Sequence, residues 1–415
     1  MFKKILTISA LFFFVTASLN AQTSLKIEKT GGFARIQAMG NNPYIIDPFN
    51  MTLNSAWAAY YGNFIMGDLG STATAFGNDG VGQYIGANFQ VSRNLTIAAF
   101  LTRTDFSGVF SILNLDPYGV VNRINTLIGG GAIVGLNNNV ALMASYSMGK
   151  HKLGFGVSYA GTTNEFNPAT GDPTAGSASQ LGLNFGYVSQ LTSSLLLEAA
   201  LSLSFPSASY EQPNVSTTSV SQTILSLNVR SFLRLSQKFK LVPTLQFVTQ
   251  SGSEEVPNGT GVDKRDGTST SIFILGVGFQ YSYGDFLFAG GPAYFSQSAT
   301  NPAVENVSPE LSNGFSGFPI WNLGGEWHLA NWIVGRVGYM AITGSISNET
   351  AATATDVNET ITTFYGPTGF WLGIGLRAAG FSLDATINDD VLRQGFNNIG
   401  GGGATFAYIS LSVAF

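Results

Sequence analysis

The chain of 415 residues carries 19 Lys and Arg against 24 Asp and Glu, a formal net charge of −5 that argues against nucleic acid as a partner. Only 10% of its residues are charged, against about 25% in a typical soluble domain, while aromatics reach 13% and there are 50 glycines. It contains no cysteine, which excludes disulfides, thiolate metal sites and a lipid anchor on a processed N-terminal Cys.

The first residues, MFKKILTISALFFFVTASLNAQ, place Lys3 and Lys4 before an apolar run from Ile5 to Val15 and a small-residue stretch ending at Ala21. That layout predicts a secretory signal peptide over 1–21, although Leu19 is a less usual residue than Ala at its place before the cut. The run is too short for a permanent membrane helix, and no later stretch approaches about 18 uninterrupted apolar residues. An exported chain, poor in charge, rich in Gly and aromatics and without apolar helices, is expected to cross a membrane with strands.

From Val81 onward one unit repeats: an alternating strand, a turn of two to four residues, a second alternating strand and then a longer polar stretch. Short turns are expected near Ser92–Asn94, Gly149–Lys152, Leu191–Ser194, Gln237–Lys238, Tyr283–Asp285, Ala330–Trp332 and Ala379–Gly380. The polar stretches, read as loops, are Phe106–Asn138, Asn164–Gly176, Pro206–Thr218, Gly252–Thr268, Ala299–Asn313, Ser347–Thr360 and Asp389–Gly403. Strict alternation of short and long connections is the asymmetry of an outer-membrane barrel. Within strands the faces alternate too: Phe273, Leu275, Val277, Phe279 and Tyr281 interleave with Ile274, Gly276, Gly278, Gln280 and Ser282. One face suits lipid and the other a lumen. Tyr281, Tyr283, Trp327 and Trp332 fall beside turns, where aromatic girdles meet headgroups. Pro243 and Pro292 each remove a ladder donor, so a bulge or kink is expected at both.

The last segment, Ala404–Phe415, alternates strictly and ends on an aromatic. Taken as descending to the short-turn side, it brings the visible strands to fifteen, seven hairpins and one more. A single-chain bacterial barrel has an even number, so an ascending strand must precede Val81, and Trp57–Asp68 is its best candidate. The predicted architecture is therefore an all-β transmembrane antiparallel barrel of 14–16 strands over 57–415, seated in outer-membrane lipid of a Gram-negative-type cell. Residues 22–56 are left as a small N-terminal hatch or plug.

That hatch carries Ala38-Met39-Gly40, then Asp47, then Asn54-Ser55-Ala56 immediately before the first strand. In these motifs and in the order of hairpins and the long third-strand loop, the chain resembles the outer-membrane fatty-acid transporter (FadL-like) family and its secretion-linked PorV-type relatives. Ser55 stands where that family has Pro. The resemblance implies capture of a hydrophobic small molecule between loops, passage past the hatch and escape through the wall at a kinked third strand. Here Leu95–Thr104 contains neither Gly nor Pro, which puts such an opening in doubt. Phe106, Phe110, Ile112, Leu113 and Leu115 of the long loop are the expected apolar docking surface. The same loop holds Asp116–Asn125, a segment able to start a helix.

Glu198, Arg230, Arg234, Lys240, Glu326, Arg336, Arg377 and Asp384 fall on the face opposite the apolar one and are expected to point into the lumen. Glu326 and Arg336 lie symmetrically about Asn331, and Arg377 and Asp384 flank the Ala379–Gly380 turn, so each pair is placed to meet across strands. Cross-links that hold the wall or seat the hatch are the preferred reading, with a selectivity ring as the alternative. Two histidines exist: His151 is expected in a solvated turn and His328 in the lumen near the rim. No sequence motif joins either to a nucleophile, no metal helix or phosphate loop is present, and Val262–Gly267 is a weak calcium candidate. No catalysis, cofactor or metal is therefore expected. Three functions remain: passive transport of fatty-acid- or hydrocarbon-like molecules, a PorV-like barrel that binds a secreted protein, and a general porin. The long loop's scarcity of charge, Asp116 and Arg123 alone, favours the first.

Overall fold

In a computed structural model of the chain, the described residues are 27, 29–69, 84–102, 111, 113–136, 139–258, 261–303, 309–353, 355–366, 369–387 and 406–415. Residues 1–21, predicted as a signal peptide, lie outside them. The chain forms a closed antiparallel barrel of 16 wall strands. These are β1 (Phe64–Asp68), β2 (Tyr84–Gln90), β3 (Leu95–Thr102), β4 (Asn139–Met148), β5 (His151–Phe166), β6 (Thr174–Thr192), β7 (Leu195–Gln212) and β8 (Val215–Arg234). They continue as β9 (Phe239–Asn258), β10, β11 (Phe286–Asn301), β12 (Leu311–Ala330), β13 (Ile333–Ala351), β14, β15 (Phe381–Ile387) and β16 (Phe406–Ala414). Two strands are interrupted: β10 comprises Gly261–Asp266 and Ser269–Tyr283, both paired with β9, and β14 comprises Val357–Tyr365 and Gly369–Ala378, both paired with β13.

Closure is between the first strand and the last, from Phe64 opposite Ala414 to Asp68 opposite Ser410. The amide of Phe415 donates to the Asn63 carbonyl at 3.0 Å, so the chain ends where the wall begins. The strand expected over Trp57–Asp68 starts later than that: Ser55–Tyr60 is a 3-10 helix and only Phe64–Asp68 is extended. Asn54 explains the difference, because its side chain accepts from the Ala56 amide and starts a turn where the alternation alone suggested a strand.

All seven short turns are present, as compact as Gly149–Lys150, Gly284–Asp285 and Ala379–Gly380. The long polar stretches are another matter. Pro206–Thr218 is no loop: β7 and β8 run on to a two-residue turn at Pro213–Asn214, where Asn214 has φ 61°. Most of Gly252–Thr268 is likewise strand, and β5, β6, β11, β12 and β13 extend into the stretches read as loops. A strand of 20 residues such as β8 is about 66 Å long, far beyond the roughly 25 Å apolar band of such a barrel. Its outer half has water on both faces, so it needs no apolar alternation and reads as loop. Cross-strand hydroxyl pairs join these outer halves instead, Ser221–Ser253 at 2.9 Å between β8 and β9 and, between β6 and β7, Ser177–Ser209 at 2.9 Å and Ser179–Ser207 at 3.2 Å.

The outer surface is apolar, as the alternation required: Leu153, Phe155, Phe185, Leu275, Val277 and Val337 are all exposed. Tyr281, Tyr283, Trp327 and Trp332 are exposed beside the short turns. At Pro243 pairing with β8 lapses between Arg230–Thr244 and Leu233–Leu241 without a change of register, so no bulge forms there. Beside Pro292 the register does shift, between Ala293 and Phe295. Among the described residues β3 pairs without interruption, with β2 from Thr96 to Thr102 and with β4 from Leu95 to Thr102.

Candidate functional site

The lumen is occupied by residues 33–61, made of a short helix α1 (Phe33–Ala38) and two 3-10 turns, Pro48–Thr52 and Ser55–Tyr60. Trp57, Tyr44, Tyr61, Met39 and Met51 within it are fully buried. Each such side chain contributes roughly 1.5–3 kcal/mol of burial, so the plug is packed rather than loosely lodged.

Glycine lets it approach the wall. Gly154 and Gly186 are cross-strand partners on β5 and β6, and the Asn54-Ser55-Ala56 turn lies directly on them. A Cβ on Gly154 would fall 2.2 Å from the Ala56 nitrogen, and one on Gly186 would fall 2.2 Å from the Asn54 side-chain oxygen. The Ala38-Met39-Gly40 motif sits the same way on Gly324 and Gly338, partners on β12 and β13, with 2.0 Å between a Gly338 Cβ and the Gly40 nitrogen. At Gly154 and Gly338 the atom met is plug backbone, which no rotamer change relieves. Around the first seat, the Ser55 amide donates to Asn184 Oδ1 at 3.0 Å, Asn184 returns a bond to the Leu53 carbonyl at 3.0 Å, and Asn54 donates to the Tyr187 and Ala199 carbonyls. The Asn184 bonds satisfy plug backbone groups at the start of the second 3-10 turn, while the Asn54 bonds tie the plug to wall carbonyls of β6 and β7.

Charge fixes the plug on one side. Arg35 of α1 makes a two-toothed bond to Glu326 of β12 at 2.8 and 2.9 Å and reaches back to Asp47 at 3.1 Å. Glu326 is the cross-strand partner of Arg336, 2.6 Å away; Arg336 in turn meets Asp384 at 2.6 Å, and Arg377 meets Asp384 diagonally at 2.8 Å. Three guanidinium groups thus face three carboxylates, the neutral sum that makes buried charge tolerable. Asp47 also caps the first 3-10 turn, accepting from the Phe49 amide at 2.9 Å while its own amide donates to Asn50. Burial lifts the Asp47 carboxyl to about 6, against the opposing pull of Arg35 and the Phe49 amide.

A second clamp lies on β7 and β8. Arg230 bonds Glu198 at 2.6 Å and donates to the plug carbonyls of Pro43 and Ile45, each at 2.7 Å, and to Asn50 at 3.0 Å. Glu198 also accepts from the Trp57 indole. Arg234 is buried on the same face, and Lys240 donates to Gln280 at 3.2 Å. The wall charges singled out in the sequence therefore all turn inward, and six of them, Glu198 and Arg230 in one cluster and Glu326, Arg336, Arg377 and Asp384 in the other, form the two clusters that hold the plug. Sequence reading missed Arg35, the hub. Its signal was present: Arg35 and Asp47 are the only charges between residues 30 and 61.

The other side of the lumen is built differently. Phe64 and Met66 of β1, Tyr84 of β2, Ala98 and Phe100 of β3 and Ala141 and Met143 of β4 form one buried apolar cluster with Leu113 of the long loop, and through the plug it continues to single apolar residues of β6–β9, Val188, Leu196, Phe232 and Val242. The only carboxylate on these four strands, Asp68, turns to the start of α1, accepting from the Phe33 amide at 3.3 Å and from Ser410. Of the expected loop docking residues, Phe106, Phe110 and Ile112 lie outside the described residues. Leu113 is fully buried in this cluster and Leu115 packs beside a second one, around the mouth helix α2 (Val120–Leu127). Asp116 starts α2 by accepting from the Val120 and Val121 amides at 2.6 and 2.9 Å.

His151 is not a solvated turn residue: the turn is Gly149–Lys150, and His151 opens β5 with Nδ1 2.9 Å from both the Tyr187 hydroxyl and Ser189 Oγ. His328 is half-buried on β12. Within Val262–Gly267, Lys264 and Arg265 pair with Glu255 and Glu254 and Asp263 accepts from Asn258, and no group of three or more metal-ligating side chains occurs among the described residues.

No protein-family model and no curated protein matches the sequence. Among solved structures, the P. putida toluene transporter TodX is similar over 94% of this chain and 99% of its own, at 10% identity and a TM-score of 0.38. The Ralstonia pickettii toluene transporter TbuX is similar over 93% and 99%, at 11% identity and 0.35. The FrpB iron transporter from Neisseria meningitidis (F3-3 variant) is similar over 78% of this chain at 10% identity and 0.39, and this chain spans 61% of its length. At such identities the likeness is one of barrel architecture.

Proposed function

We propose that the chain is an outer-membrane barrel of a Gram-negative-type cell that passes small hydrophobic molecules, fatty-acid- or hydrocarbon-like, along the inner face of β1–β4. One observation carries this reading: the buried apolar cluster from Phe64 to Met143, which reaches Leu113 on the long-loop side and meets the plug at Trp57 and Tyr61. A barrel lumen that conducts ions or sugars is lined with polar groups; here the charges gather on β7–β15, and the concentration of large apolar side chains on β1–β4 suits a solute that avoids water. The apolar outer face supports placement in lipid. The two ion clusters support a plug that stays seated against ion flow while the more apolar side yields.

The test is paired. Cells producing the barrel should take up a labelled long-chain fatty acid or alkane faster than cells without it, while the purified protein in planar bilayers shows no steady ion conductance. Open conductance without uptake would instead make it a porin. A second reading, a barrel that holds an exported protein, draws on the firmness of the plug. It calls for no uptake and for co-purification of a secreted partner.

A further inference from the structure

Above the plug, on the long-loop side, β8, β9 and β10 and the loop segment leading into α2 enclose a cavity of about 140 Å³. Its floor is set by register. Gln222 of β8 is opposite Gly252 of β9, and Gln250 of β9 is opposite Thr270 of β10, so three adjacent strands turn polar side chains to one space. Tyr118, just before α2, and Arg123 of α2 roof it. The glycines there, Gly252 and Gly267, keep the space from being filled by side chains of their own.

Three oxygens of this cavity's lining are buried and have no hydrogen-bonding partner among the described residues: Gln222 Oε1, Gln250 Oε1 and the Tyr118 hydroxyl. Gln250 is only 2% exposed, and its amide nitrogen is already committed to the Thr268 carbonyl at 2.9 Å, which leaves the oxygen for another donor. A buried acceptor without a donor is costly, so three around one space define what the space should hold. The two amide oxygens accept only, and the phenol both donates and accepts. The complement is a molecule with at least two donors and one acceptor.

Charge narrows the class. Glu254, beside the cavity, is held by Arg123 at 2.5 and 2.9 Å and by Arg265 at 2.9 Å, so its carboxylate is spent and the surroundings are slightly positive. That disfavours a cationic amine. An anion is disfavoured too, because both amide oxygens would face it and the Arg123 fork is already engaged. The Tyr118 ring rests against the apolar group of Ile224, Val248 and Ile272, and Val220 joins the lining, so one side of the space is apolar. We propose that this cavity is a binding site for a small neutral polyhydroxylated molecule of the monosaccharide class, entering from the long-loop side. The site is separate from the apolar face of β1–β4 and stands or falls independently of the transport reading.

Its test uses the full-length barrel in detergent with D-glucose and D-galactose as probes, read by saturation-transfer NMR and titration calorimetry. Gln222→Met and Gln250→Met keep side-chain length and remove the acceptors. Melting behaviour on gels, compared with wild type, checks that each variant still folds. Saturable binding of either sugar to the wild type, weakened about tenfold or more in each variant, is the expected result, since each substitution removes one buried hydrogen bond. No saturable binding to the wild type, as a cavity filled by ordinary water would give, overturns the proposal. So does binding that both variants retain.

Discussion

Two halves of one lumen are built by opposite rules. Along β7–β15 the inward face holds Glu198, Arg230, Arg234, Lys240, Glu326, Arg336 and Asp384, and the plug meets it with Arg35, Asp47 and backbone carbonyls. Along β1–β4 the inward face carries Asp68, Asn88 and Ser145, but its large side chains are Phe64, Met66, Tyr84, Phe100 and Met143, and the plug meets them with Tyr61 and with Trp57, whose indole reaches across to Glu198. Directional bonds, several of them between paired charges, fix position on the first side; on the second, apolar packing dominates and the bonds are fewer, Asn88 to the Tyr61 carbonyl at 3.2 Å, Ser145 to the Ala56 carbonyl at 3.1 Å and the Phe33 amide to Asp68 at 3.3 Å. The difference teaches which side is the anchor and which can part for a solute.

Removing the anchor should have the largest effect. Arg35→Met leaves Glu326 and Asp47 buried with less compensation, a change of about 3–5 kcal/mol for a broken buried pair. The urea concentration at which ion conductance first appears in planar bilayers should fall sharply, and adding Glu326→Gln should recover part of the loss. If Arg35→Met behaves as wild type, the ion cluster is not what seats the plug.

Next comes the glycine seat. Gly338→Ala puts a Cβ against the Gly40 backbone, at or beyond the upper end of overpacking costs, about 3 kcal/mol. Gly131→Ala, whose Cβ would meet nothing within 4 Å, should be silent in the same conductance assay. Equal behaviour of the two would mean that the close approach has no energetic weight.

Acid should tighten the plug modestly. Asp47 titrates at about 6 when docked and near the ordinary carboxylate value when released, so the docked form takes up a proton first. Its contribution to docking is complete below the released value and is lost as pH rises through about 6. Between pH 7 and pH 5 this amounts to about a tenfold gain in the docked-to-released ratio. Comparing wild type with Asp47→Asn, which keeps an oxygen for the cap but does not titrate, isolates that gain; a pH response unchanged in the variant would assign it to other groups. The smallest effect belongs to Asn54→Ala, which loses a cap and two wall bonds for about 1 kcal/mol in the same assay.

How far the sequence could be read follows the same division. Within the membrane the period of two is imposed by lipid outside and lumen inside, so strand faces, short turns and the inward charges were legible, down to Glu326 opposite Arg336. Beyond the membrane both faces are wet, the alternation fades, and Pro206–Thr218 reads as a loop although it is hairpin. The plug was visible as a leftover ahead of the first strand, but its contacts were not. Arg35 reaches a partner 291 positions away, and Gly154, Gly186, Gly324 and Gly338 look like any other strand glycines until the plug is seen resting on them. The apolar strip of β1–β4 escaped notice for a related reason. In a strand whose two faces are both apolar, as in Phe64–Met66 with Ile65 between them, no alternation marks which face is inside.

The central claim is that the apolar half of the lumen carries the solute. Uptake of a labelled long-chain fatty acid by cells producing Met143→Glu tests it most directly, with folded protein in the membrane confirmed by its gel mobility before and after heating. The account expects uptake by the wild type that the buried carboxylate abolishes. Uptake by the variant at the wild-type rate would contradict it.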